Sequence, residues 1–172
     1  MFLSVREMEL RKVRFHETFP PGEIEFFDAK LWQASPLEAS GLAELIPNSG
    51  GEIRVRGRLK VRMEAECDRC LEPASFPLEL AFDLFYEPLA ASPRSEEVEL
   101  NASDCEIAFY QGEGLELEDV LREQILLALP MRRICREDCK GICPECGQNR
   151  NLAPCACRLR PADDRWAALR DL

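Results

Sequence analysis

Eight of the nine cysteines in this chain fall into four closely spaced pairs. Cys67 and Cys70 form a CxxC knuckle, as do Cys143 and Cys146; Cys135 and Cys139 make a CxxxC pair, and Cys155 and Cys157 a CxC pair. Two thiolates at such spacings can converge on one Zn2+ with S–Zn distances of about 2.3 Å, and a structural site closes when two pairs supply four ligands. Gly141 and Gly147 stand where a knuckle turn needs a residue without a Cβ. In Cys155-Ala156-Cys157 an extended backbone puts both thiols on one side. All eight cysteines are therefore candidate metal ligands, with two Zn2+ as the expected cofactor. The competing chemistry is a dithiol redox centre, which is usually seated at a helix N-terminus where the dipole stabilises a thiolate. Here Cys67 ends a strand-like run, and Leu71-Glu72-Pro73 after Cys70 opens another strand, so metal is the favoured reading. The ninth cysteine, Cys105, has no partner at ligand spacing and reads as a small buried apolar residue.

The composition supports a metal-stapled, non-enzymatic protein. The chain has 172 residues, 46% apolar and 31% charged, the balance of a globular protein of one domain or one domain with a small appendage. No apolar run approaches the roughly 20 residues a membrane helix needs, and the charged N-terminus lacks the apolar stretch of a secretion signal. The expected location is the cytoplasm, where reducing conditions disfavour disulfides. No catalytic constellation is visible: the single histidine, His16, has no serine or cysteine near it in sequence and reads as structural or surface. The formal charge is -10, unevenly spread: residues 131–172 hold nine Arg/Lys and six Asp/Glu, leaving 13 basic and 26 acidic residues in 1–130. Contact with an anionic partner is thus expected at the basic tail.

The elements that must position the cysteines can be read from periodicity. From Ile53 to Cys67 apolar residues alternate with Arg, Lys and Glu, which predicts a long half-buried strand with Gly57 at a bend. A second alternating run carries Phe76, Leu78, Leu80, Phe82, Leu84 and Tyr86 inward, and residues 68–75 are few enough for an antiparallel hairpin. Pro77 suits an edge or a strand start. Segments 13–19, 24–27 and 31–34 are weaker strand candidates, 88–97 reads as a loop, and 107–110 as a short strand. Over 115–129, Leu117, Val120, Leu121, Gln124, Ile125, Ala128 and Leu129 form a helical stripe, with acidic residues in the first turn and Pro130 as the stop. The terminal segment, with Asp163-Asp164, Trp166 and Leu169, reads as a short amphipathic helix. The expected architecture is α+β: an antiparallel, partly barrel-like sheet with one packed helix forms a body over 1–130, followed by a zinc-binding module over 131–172.

Three stretches in order carry a resemblance: Cys67-Asp68-Arg69-Cys70-Leu71-Glu72-Pro73 after a long alternating strand, Leu126-Leu127-Ala128-Leu129-Pro130, and Cys139-Lys140-Gly141-Ile142-Cys143-Pro144-Glu145-Cys146-Gly147 with Asn149 and Asn151. Together they resemble the bacterial YceD family, whose members are described as large ribosomal RNA subunit accumulation proteins. The resemblance runs from about residue 50 to the C-terminus. It implies a cytosolic factor in large ribosomal subunit biogenesis, with ribosomal RNA or a large-subunit ribosomal protein as partner; the lack of a catalytic constellation makes the expected role non-enzymatic, with no small-molecule substrate. It also implies a sorting of ligands. Members that lack the later cysteines keep the CxRC knuckle and a His or Cys pair just after the helix. One site would then use Cys67, Cys70, Cys135 and Cys139, and a second Cys143, Cys146, Cys155 and Cys157. Spacing leaves a single site open, built from Cys139, Cys143, Cys146 and one of Cys155 or Cys157, with Cys67 and Cys70 free. Arg132, Arg133, Lys140 and Arg150 are the candidate RNA phosphate contacts. Four thiolates around a dication add two negative charges, so two sites take the formal charge from -10 to -14. The bulk surface therefore repels RNA, which keeps a ribosomal-protein contact in view. Outside this family, the alternative is a zinc-binding protein–protein adaptor unrelated to ribosomes, acting through a sheet edge or the Trp166 helix.

Overall fold

Alternation of apolar and charged residues over Ile53–Glu66 gives the central strand of a sheet that dominates the fold. The computed structural model describes residues 1–89 and 107–157, and its elements run in the order β1 (Phe2–Ser4), α1 (Val5–Leu10), β2 (Val13–Phe19), β3 (Leu31–Gln33), β4 (Leu37–Leu45), β5 (Ile53–Glu66), β6 (Pro73–Pro88), β7 (Ile107–Tyr110), β8 (Gly114–Glu116) and α2 (Leu117–Ala128). The larger sheet has the order β2-β4-β5-β6-β7, with β3 pairing the far end of β5; β1 and β8 form a separate two-stranded ribbon. The α+β expectation holds. The partly barrel-like expectation does not: β2 and β7 lie at opposite edges and do not pair, so the sheet stays open. Nor is the sheet wholly antiparallel, because β7 runs parallel to β6. The physical reason lies in connection length: a tight hairpin reverses the chain, whereas residues 89–106 are long enough for the crossover that a parallel neighbour needs.

The alternating registers divide the two faces cleanly. Inward along β5 stand Ile53, Val55, Leu59, Val61, Met63 and Ala65, all buried. Opposite them on β6 stand Phe76, Leu78, Leu80, Phe82, Leu84 and Tyr86. Helix α2 closes this core with Leu117, Val120, Leu121 and Ile125. It is shorter than the 115–129 stripe because Leu115 and Glu116 leave the helix to pair with β1 and Leu129 caps its end. Pro77 falls where β6 is paired to β5 on one side only, which suits a residue with no N–H to donate. Of the weaker candidates, 13–19 and 31–33 are strands, whereas 24–27 is not: Ile24 and Phe26 are buried without joining a ladder. The rest of the 88–97 loop beyond Leu89, Cys105 and the helix expected around Trp166 lie outside the described residues.

Where β4 crosses β5, two glycines face each other, Gly41 opposite Gly57. A Cβ at Gly41 would lie 2.3 Å from the Arg56 carbonyl oxygen and 2.5 Å from the tip of the Phe15 ring. At Gly57 it would lie 2.6 Å from the Ser40 carbonyl oxygen and 2.9 Å from the tip of Phe82. The missing side chains make the hollow into which these two buried rings fit. Gly41→Ala is therefore expected to destabilise by about 2–3 kcal/mol, the cost of overpacking, and to lower the thermal midpoint by about 5–10 °C for a chain of this size. An unchanged midpoint in a thermal melt would show that the two strands do not meet in this register.

Candidate metal centres

The β5–β6 hairpin ends in the first knuckle. The ladder closes at Glu66 opposite Pro73, so residues 67–72 are the turn. Within it the Cys67 N–H donates to the Glu72 carbonyl (2.9 Å), and the Leu71 N–H to the Cys67 carbonyl (2.9 Å), with Leu71 in the left-handed region at φ 63. The chain leaving α2 returns to this turn. The Asp68 N–H donates to the Arg133 carbonyl, and the Arg133 N–H to Asp68 Oδ2, each at 2.7 Å. The Arg133 guanidinium also donates to Asp28 Oδ2 at 2.7 Å. That hydrogen bond, together with the Lys30 N–H, holds the Asp28 carboxyl below the usual carboxylate range. These contacts deliver Cys135 and Cys139 to Cys67 and Cys70.

The resulting sulfur geometry fits a metal. Cys67, Cys70, Cys135 and Cys139 place their sulfurs within 4.8 Å of one another. Cys67 Sγ lies 3.9 Å from Cys139 Sγ, and Cys70 Sγ 3.7 Å from Cys135 Sγ. A tetrahedral ion with S–Zn bonds of about 2.3 Å requires sulfurs about 3.8 Å apart. The distances are nearly twice a disulfide bond of about 2.05 Å, so these are free thiols. Cys143, Cys146, Cys155 and Cys157 form a second group, also within 4.8 Å of one another. Both groupings follow the division that the family resemblance implies; the single-site alternative, with Cys139 joined to the later cysteines, is not the arrangement seen. The first cluster is the more enclosed, with Cys67, Cys70 and Cys139 buried; in the second Cys143 is buried while Cys146 and Cys157 are exposed.

Electrostatics make each cluster ready for a cation. Burial opposes charge on Cys67, but N–H groups of Arg69, Cys135 and Cys70 prevail and hold its thiol down to about 6. N–H groups of Cys146 and Glu145 bring Cys143 down to about 6 as well. Burial, followed by the thiol interactions with Cys139, Cys70 and Cys67, pushes Cys135 up to about 12. The interaction with Cys146, then burial, pushes Cys157 up to about 12. In each cluster, then, hydrogen-bond donors favour charge on some sulfurs while the crowding of the others opposes it, a repulsion that a bound dication removes.

The two clusters are physically joined. Arg69 Nη1 donates to the Cys139 carbonyl (2.9 Å), and the Ile142 N–H donates to the Arg69 carbonyl (2.8 Å). Gly141 between them has φ +69, and a Cβ there would lie 2.8 Å from the Arg69 carbonyl oxygen. Ile142 pairs with Asn149, and the Arg150 N–H donates to the Gly141 carbonyl (2.9 Å). Asn151, inside the loop that the second cluster closes, reaches back to the first. Its Nδ2 donates to Cys139 Sγ (3.3 Å), its Oδ1 accepts the Lys140 N–H (2.8 Å), and its contact lowers the Cys139 thiol. Asp28 carries no signal in the sequence. Asp68, Arg69 and Asn151 stand in the motifs that carry the resemblance but have no role there; the two knuckle residues could have been given one, because the turn of a hairpin is where the chain presents groups to a returning segment. Of the candidate phosphate contacts, Arg132, Lys140 and Arg150 are exposed, and Lys140 and Arg150 line one hollow beside Cys143, Cys155 and Cys157. Arg133 is half-buried against Asp28.

Fold and site together define a strand-dominated α+β protein in which residues 135–157 gather around two four-cysteine clusters, each able to hold a metal ion and consistent with zinc. The chain belongs to the family described as Large ribosomal RNA subunit accumulation protein YceD, which matches residues 55–172. Its relatives include the uncharacterized protein Rv2926c of Mycobacterium tuberculosis and the uncharacterized protein Mb2951c of Mycobacterium bovis. Each is 31% identical over 118 residues, covering 68% of this chain and 54% of the relative. The uncharacterized protein ML1660 of Mycobacterium leprae is 26% identical over 122 residues, covering 70% and 53%. The chain thus spans about half the length of these curated relatives. No solved structure matches it.

The Arg69–Gly141 contact gives a direct test of how the returning segment docks. Gly141→Ala strains a left-handed position and drives a methyl group into the Arg69 carbonyl, with an expected cost of about 2 kcal/mol. Limited trypsinolysis should then cut faster after Arg136 and Lys140 than in the native protein. Equal cleavage rates would rule out the close approach.

Proposed function

We propose that this chain is a non-enzymatic factor in biogenesis of the large ribosomal subunit, acting in accumulation of its ribosomal RNA, with two zinc ions as structural cross-links. The observation that carries the reading is the family match, which begins inside β5 and takes in every cysteine of both clusters. Zinc bound by four protein thiolates has no open position for substrate, so its contribution is to fold rather than to chemistry. Cys67, Cys70, Cys135 and Cys139 would tie the hairpin turn to the segment after α2, while Cys143, Cys146, Cys155 and Cys157 would order the tail, making 131–172 a module on the body formed by 1–130. Four convergent sulfurs per cluster, and knuckles away from any helix N-terminus, support metal binding over dithiol redox chemistry. Of the tail cations, Arg132, Lys140 and Arg150 are exposed to meet RNA phosphates, with Arg133 adding whatever donors Asp28 leaves; a large-subunit ribosomal protein is the alternative partner. Cytoplasmic location belongs with this reading, and no helix among the described residues is long and apolar enough to cross a membrane.

Two outcomes follow from it. Purified protein should hold close to two equivalents of zinc with its thiols unpaired. Cys67→Ser and Cys155→Ser should each lose one equivalent, the former with the larger fall in melting temperature because its metal closes the longer loop. Zero metal by elemental analysis, or full zinc in both variants, would remove the structural role assigned to the clusters. In cells, deleting the gene should lower the large-subunit RNA peak in a sucrose gradient relative to the small-subunit peak. Equal subunit peaks with and without the protein would overturn the ribosomal reading.

A further inference from the structure

The solvent-facing side of the large sheet carries a feature that the metal centres do not use. Along β5 its outward residues are Arg54, Arg56, Arg58, Lys60 and Arg62, five cations in succession on the middle strand of a protein with formal charge -10. Alternate residues on a strand stand about 6.8 Å apart, a step commensurate with successive phosphates on an extended nucleic-acid strand. Part of this charge is neutralised. Arg54 pairs with Asp83 at 2.6 Å, Arg56 with Glu44 at 3.9 Å, and Lys60 with Glu79 at 3.9 Å. Arg58 and Arg62 have no ion-pair partner among the described residues. Their cross-strand neighbours are Ser40, Ala81 and Pro77, none of them charged. Arg14, on β2 of the same face, is likewise exposed and unpaired among the described residues, whereas Glu38 beside Lys60 tempers the middle of the row.

Aromatic residues bracket the row. Trp32 lies opposite Glu64 at one end, 37% exposed, with its indole N–H donating to Glu64 Oε2 (3.1 Å). Phe85 lies opposite Arg54 at the other end, and the guanidinium sits 5.4 Å from its ring centroid. Cations along a strand with rings beside them are the parts that single-stranded nucleic acid engages, phosphates on the charges and bases on the rings. An acidic protein segment would use the cations and leave the rings without a purpose.

We infer that the outward face of β5, centred on Arg58 and Arg62 and flanked by Trp32 and Phe85, is a docking surface for single-stranded RNA. The choice of RNA over other polyanions rests on the proposed function; the surface itself rests on the unpaired cations and their spacing. The test uses the full-length, metal-loaded protein and a fluorescein-labelled ten-nucleotide oligouridine. Arg58→Gln with Arg62→Gln removes two exposed charges, so the thermal midpoint should hold. Binding should weaken about tenfold at 0.1 M salt, and the slope of log affinity against log salt should flatten by about 1.4, at about 0.7 per phosphate contact on a single strand. In a Trp166→Phe background, oligouridine should quench the fluorescence of Trp32. Native protein that fails to bind oligouridine overturns the inference, as does binding unchanged in the double variant. Loss of binding on Arg132→Gln with Arg150→Gln, but not on the sheet variant, moves the RNA contact to the tail and leaves the ribosomal reading standing. Retention of a decaglutamate peptide by Arg58 and Arg62 without oligouridine binding reassigns the face to a protein partner. Subunit peaks in the deletion strain report on the proposed function separately from every one of these.

Discussion

The sulfurs of Cys67 and Cys139 meet at 3.9 Å across 72 residues of chain, and most of the C-terminal structure depends on that meeting. A segment as short as 131–157 buries few apolar side chains and has no core of its own. It gains position by docking onto a turn that the β5–β6 ladder has already fixed. Loop-closure entropy grows only slowly with length, so the separation in sequence is a modest penalty once the hairpin and α2 are in place. The contacts then build outward from the knuckle: Arg133 on Asp68, Ile142 on Arg69, and Asn151 on Cys139. Each places the next part of the chain, which makes the second cluster dependent on the first for its place on the fold.

What the sequence revealed and what it hid follow from how each element is buried. β5 and β6 were legible because each has one wet and one dry face, and the period of two is written in Arg and Lys against Val, Leu and Met. The helix was legible for the same reason at a period near 3.6. β4 went unseen because Leu37-Glu38-Ala39-Ser40-Gly41-Leu42-Ala43-Glu44-Leu45 is rich in residues without strand preference; its small inward residues exist to admit the Phe15 ring, a tertiary demand that no local pattern expresses. β1, α1 and β8 are too short for periodicity, and their pairing joins residues more than a hundred positions apart. Ile24 to Phe27 misled because apolar side chains can be buried from an irregular segment as well as from a ladder. In the candidate site, the ligands were visible as spacing, but their grouping needed either relatives or coordinates. Much of what holds them in place was invisible because backbone N–H and carbonyl partners leave no mark on residue identity, and the side chains that help, Asp28, Asp68, Arg69 and Asn151, gain their roles only from the fold.

Net charge conceals as much as it reports. The carboxylates of β4 and β6 flank the basic residues of β5 and pair with several of them, the cross-strand equivalent of helical i,i+4 pairs. Such exposed pairs add little stability, about 0–1 kcal/mol each. Their larger effect is to set which cations remain unneutralised. A chain that is acidic overall can in this way keep a narrow cationic line, whereas an even distribution of the same residues would repel every polyanion at every approach.

The order in which the first cluster's ligands occur also sets a timetable for synthesis. Cys70 is made 65 residues before Cys135, whose sulfur it faces. At a translation rate of about 5–20 residues per second, Cys70 is synthesised about 3–13 s before Cys135 exists. During that interval β6 is added and the β5–β6 hairpin can form, with two thiols at its turn and nothing to close them. For that interval the two knuckle thiols have no partner pair to complete their cluster, and the enclosure of the first sulfurs waits on cysteines made 65 or more residues later.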